Sequence, residues 1–150
     1  MKGRTLLIGG GIFLAIFTGA LWYFQVYAFY KELPAQPVVL GDKAYESVSW
    51  DGIDGTSSPL KRRVCLTVSP EQSGEISAAL EPSEDAEPLL APKWFECFDA
   101  KQLSRDLKAQ KAVAGIVAVG VADGVDEYLA IYPDGRGYIW RQLQPKYANQ

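Results

Sequence analysis

Apolar residues are distributed in two unlike ways along this chain. Residues 5–30 run for 26 positions without a charge, against the roughly 20 apolar residues a helix needs to cross a hydrocarbon core of about 30 Å. In lipid such a segment satisfies its backbone only as a helix, and glycines such as Gly9 and Gly10 are tolerated there. Gly11, Ala15 and Gly19 recur at every fourth position, a stripe of small residues on which a second helix packs closely. Trp22, Tyr23, Tyr27 and Tyr30, with Phe24 and Phe29, crowd one end as an aromatic belt does at headgroup level. The competing reading is a cleaved signal peptide, with Thr18-Gly19-Ala20 as a small-x-small cleavage site. Cleavage there leaves Leu-Trp-Tyr-Phe as an uncovered aromatic start, which favours an anchor.

Beyond residue 30 the pattern changes to short periodic segments separated by turn residues. Residues 31–42 carry Pro34, Pro37 and Gly41 and read as a stiff linker. The sequence predicts a strand over 43–50, a loop over 51–59, and a strand in which Arg62, Val64, Leu66 and Val68 alternate with polar neighbours. Ser69-Pro70 with Gln72 opens a helix to about residue 80, and Asp99 with Gln102 opens another before Leu103 and Leu107. Between them, residues 81–92 hold three prolines and four acidic residues and read as an exposed acidic loop. The valine-rich apolar run 112–122 predicts a central buried strand, followed by strands around Tyr128–Ile131 and Tyr138–Trp140 joined by the turn at 133–137. The expected organisation is a cytoplasmic N-terminus at 1–4, a transmembrane helix with its aromatic end at 5–30, the linker 31–42 and one extracytoplasmic domain at 43–150. Its fold class is α+β, with an antiparallel sheet of about four to six strands and two short helices.

Composition narrows the chemistry more than it names one. The chain has no histidine, which excludes Ser-His-Asp and Cys-His triads, imidazole metal ligands and histidine phosphotransfer. Lys2 and Arg4 are the only charges before Lys31, so the remaining chain has 13 basic and 18 acidic residues, a balance that disfavours nucleic-acid binding. The same two residues place the N-terminus in the cytoplasm by the positive-inside bias. The domain then lies in the periplasm of an inner membrane, where disulfides persist, and Cys65 and Cys97 are expected to pair. Closing a loop of this size stabilises a fold by roughly 3–4 kcal/mol. The two cysteines lack C-x-x-C spacing, and Glu96 beside Cys97 opposes a low thiol pKa. Asp51 and Asp54 suggest calcium, but the twelfth position from Asp51 is Arg62 where an EF-hand needs glutamate. No catalytic set, cofactor or metal is indicated.

Three segments, GIDGTSSPLKRRVC at 52–65, EPLLAPKWFECFDA at 87–100 and PDGRGYIW at 133–140, together with QVYAFY at 25–30, carry a resemblance. They resemble a family of uncharacterised single-span membrane proteins from alphaproteobacteria. The resemblance implies a shared architecture and no particular activity. A histidine-kinase role ascribed to some members does not carry over, since there is no histidine to phosphorylate. The expected function is a non-enzymatic accessory or assembly protein of a larger envelope complex, held in the bilayer beside a membrane-protein partner. The alternative is a small-ligand sensor whose pocket is lined by Trp50, Trp94 and Trp140. The packing reading of those rings is a core.

Overall fold

The structure is a computed structural model that describes residues 2–148. The chain divides into two compact units, Met1–Tyr30 and Lys31–Gln150. The first is the helix α1 (Gly3–Tyr23), continued by a π-helical turn at Phe24–Ala28. Together they make one apolar stretch, Gly3–Ala28, long enough to cross a membrane and with none of it buried. The wider π winding brings side chains five apart together, and Trp22 meets Tyr27 edge to face at 5.2 Å between ring centres.

The second unit is built on a sheet of six strands. β1 (Tyr30–Glu32) leads the chain into it; β2 (Val38–Leu40) and β3 (Lys43–Tyr45) form a separate hairpin. β4 (Ser49–Gly55), β5 (Arg63–Thr67), α2 (Pro70–Ala79), α3 (Ala100–Lys108), β6 (Val113–Ala122), β7 (Val125–Ile131), β8 (Arg136–Leu143) and the short α4 (Pro145–Ala148) follow. The spatial order is β1-β4-β5-β8-β7-β6, and the pairs from β4 to β6 are antiparallel. One face of the sheet, through Val64, Leu66, Leu129, Ile131 and Ile139, packs on Ile76 from α2, on Leu80 at its C-cap, and on Val38 and Tyr45 from the small hairpin. The other face is covered by residues 81–99 and α3. There Phe98 meets Tyr138 and Trp140 edge to face, and Trp140 stacks on Tyr128 at 5.7 Å. The domain is mixed α+β, with an antiparallel sheet and short helices behind an apolar N-terminal helix.

The two helix starts follow the predicted caps. Ser69 accepts from Gln72 N, Asp99 accepts from Gln102 N, and Pro70 sits at the first helical position where its missing N–H costs nothing. Three strand expectations need correction. The segment 43–50 is no single strand: β3 stops at Tyr45, and a new strand begins at Ser49. The loop expected at 51–59 is strand as far as Gly55, because ladders with β5 and β1 override the turn preference of Asp51-Gly52 and Asp54-Gly55. The run 112–122 is the outer strand of the sheet, with Ile116 and Val119 exposed; its long apolar sequence reflects exposure of small and branched residues rather than burial. The strand covered on both sides is β7, where six of seven residues are buried. That two-sided cover erases the alternation a half-buried strand shows. Lys31, Glu32 and β2 also put much of the expected linker into regular structure.

Candidate functional site

The segment from Glu81 to Asp99 has almost no regular structure but is fixed to the sheet like a strap. Its first anchor is Gln142 on β8, a buried amide: Oε1 accepts from Glu87 N at 2.7 Å and from Trp140 Nε1 at 2.9 Å, and Nε2 donates to the Asp85 carbonyl at 2.7 Å. The second is Arg63, also buried, whose guanidinium donates to the carbonyls of Leu89 and Leu90 at 3.1 Å each and lies 5.8 Å from the Phe98 ring centre. The third is covalent. Cys65 and Cys97 form a disulfide with Cα atoms 6.3 Å apart, within the ordinary bridging range. Ser83 N also donates to Ala114 O at 2.8 Å, so the strap covers the start of the outer strand β6.

Between the strap and the end of α3 lies a groove of about 910 Å³, whose lining includes Asp85, Glu87, Leu107, Gln110, Val113 and Gln142. The strap gives it an acidic side, and Leu107, Val113, Ala114 and Leu143 are among its apolar lining. Gln110 holds a left-handed backbone with φ of 60°. It is the residue after the α3 cap, where Gln110 N reaches Leu107 O at 3.1 Å and Lys111 N reaches Asp106 O at 2.9 Å; this pair of bonds normally employs glycine.

Two polar clusters tie the remaining elements together. Asp106 on α3, a buried residue, accepts from the Tyr132 hydroxyl at 2.6 Å and from Gln102 Nε2 at 2.9 Å. The Tyr132 hydrogen bond holds the Asp106 carboxyl below its ordinary pKa, while burial and this carboxylate push the Tyr132 hydroxyl well above its own. On the opposite face of the sheet, Glu127 sits between Arg62 Nε at 2.8 Å and Arg141 Nε at 3.1 Å. Both clusters join secondary-structure elements. Among the described residues, no three His, Cys, Asp or Glu side chains are grouped to hold a metal.

Of the residues singled out from the sequence, the structure brings together Cys65 with Cys97, and Trp22 and Tyr23 with Tyr27. Gly11 and Gly19 have open space where a Cβ would stand, and Ala15 is exposed on the same helix. Tyr30 instead begins β1. The three tryptophans do not converge. Trp140 is fully buried, Trp50 donates to Leu33 O at 3.0 Å and Trp94 lies against Phe95; none lines the groove. Gln142 and Asp106 were not singled out; Arg63 reads in sequence as part of a basic run, 61–63, on a solvated face or edge, whereas Arg62 and Arg63 are buried. For Asp106 a signal existed, since it lies three residues after Leu103 and so falls on the inward face of α3.

A two-layered cover on an antiparallel sheet, strapped by one disulfide and following an apolar helix in sequence, defines a small α+β domain. The chain belongs to a family of unknown function, DUF6446, whose model matches residues 39–149. Neither a curated protein nor a solved structure matches it significantly.

Proposed function

We propose that this protein is a membrane-anchored accessory or assembly factor without catalytic activity of its own, its N-terminus cytoplasmic and its domain on the periplasmic side of a bacterial inner membrane. The observation that carries the reading is α1 with its π turn, an apolar stretch, uncharged from Thr5 onward, of which none is buried, followed in the chain by a disulfide-strapped domain. Anchoring both parties in one membrane raises the effective concentration of a partner, so modest contacts suffice. Lys2 and Arg4 support the orientation, and a disulfide on the far side of the span suits an oxidising compartment. The groove beside the strap supports a second reading, a ligand-binding module. Crosslinking in intact membranes followed by detergent purification of the full chain separates them. Recovery of one membrane protein in fixed ratio is expected, whereas recovery of this chain alone with a bound small molecule would favour the second.

A further inference from the structure

Leu33 N donates to Gly52 O at 2.8 Å, and the residues just before Leu33 lie beside the end of β4, whose last two residues, 54–55, outrun its pairing with β5. Lys31 therefore enters the domain at the Gly55 end of the sheet. By the strand registers, that same end carries Leu143, Val125 and Ala122, and with them the β6–β7 turn. This turn is an apolar knob. Val119 is 73% exposed, Val121 36% and Tyr147 40%, and no charge occurs from 112 to 122.

The knob is also firmly made. Asp126 Oδ1 accepts from Gly120 N at 2.9 Å and from Gln144 Nε2 at 3.0 Å, Gln144 N donates to Gly124 O at 2.8 Å, and the Tyr147 ring closes over Gly124. Asp123 in the turn and Lys146 beside it carry opposite charges, and Lys146 Nζ lies 4.8 Å from the Tyr147 ring centre. A tyrosine and a lysine flanking exposed valines are the residue types that settle at a membrane interface. Strand addition by a second copy is opposed here, because β6 changes register at Ala118 and turns through Gly120 with φ of 65°.

We propose that this knob dips into the headgroup layer of the bilayer, with Val119, Val121 and Tyr147 as the inserted side chains. The inference rests on the anchor reading above. Both native cysteines are in the disulfide, so a nitroxide can be placed on one introduced thiol in the full chain, in vesicles of phosphatidylcholine and phosphatidylglycerol. Labels at Ile12→Cys and Val119→Cys should meet oxygen more readily than a water-soluble nickel chelate, and a label at Val48→Cys, exposed at the other end of the sheet, should do the reverse. Val121→Cys supplies the same reading if the first variant folds poorly. A 119 site that behaves like the 48 site while the 12 site stays in lipid overturns the knob and leaves the anchor standing. An aqueous 12 site overturns both. Dipolar broadening between 119 labels, showing a second copy over the knob, also overturns the proposal.

Discussion

Gln110 sits where most helices place glycine. A left-handed backbone costs a residue with a side chain roughly 1–2 kcal/mol, partly offset by the greater unfolded-state freedom of glycine. Gln110→Gly should therefore stabilise the domain by roughly 1 kcal/mol, read from the urea midpoint at unchanged slope. Gln142 carries the opposite expectation. Its amide satisfies three partners in a buried place, so Gln142→Leu should cost about 1–3 kcal/mol by leaving Trp140 Nε1 and strap backbone groups unpaired. Asp106 titrates with a definite sign. Its folded carboxyl lies below the ordinary value because Tyr132 and Gln102 donate to it. The stability it contributes is complete above the ordinary carboxylate range and is lost as pH falls through the lowered value. Tyr132→Phe removes the main cause, so the acid limb of a stability-against-pH curve should flatten; an unchanged limb would show that the hydroxyl does not set this pKa.

At the scale of elements the strap is the feature on which stability turns. Cys65→Ser with Cys97→Ser should lower unfolding stability by about 3 kcal/mol. Gly115→Ala tests the same region without touching the disulfide, because a Cβ there would press into the Glu81 carbonyl; a loss of about 1–3 kcal/mol is expected. How far these elements were legible follows their range along the chain. The starts of α2 and α3 are written in Ser69, Pro70, Gln72 and Asp99, which act on backbone a few residues away. The fate of Asp51-Gly52 was not legible, since those residues favour a turn until β1 and β5 flank them. Uncharged, valine-rich β6 reads in sequence as the buried strand and β7, with Asp126 and Glu127, does not; only the strap and the two covering layers make β7 the interior strand. The disulfide was legible from the expectation of an oxidising compartment, whereas the anchoring roles of Arg63 and Gln142 were not: their partners are carbonyls and amides of a loop whose path is set by contacts 26 to 57 residues distant.

For the whole molecule, an apolar helix with open faces joins a strapped α+β domain, in a chain whose missing histidine removes the most common acid–base and metal chemistry. Trp140, Tyr128 and Phe98 are buried in the core, and the polar clusters at Asp106 and Glu127 hold elements together. What is left for function is the helix, the groove beside the strap and the apolar knob at the end where the chain enters the domain. The anchor-based docking role and the knob's insertion both require that α1 remain on the mature protein. The intact mass of the chain extracted from membranes under non-reducing conditions decides this directly. A chain that retains Lys2 and Arg4, with both cysteines oxidised, is the predicted result; a chain beginning at Leu21 would contradict the anchor and the docking role built on it.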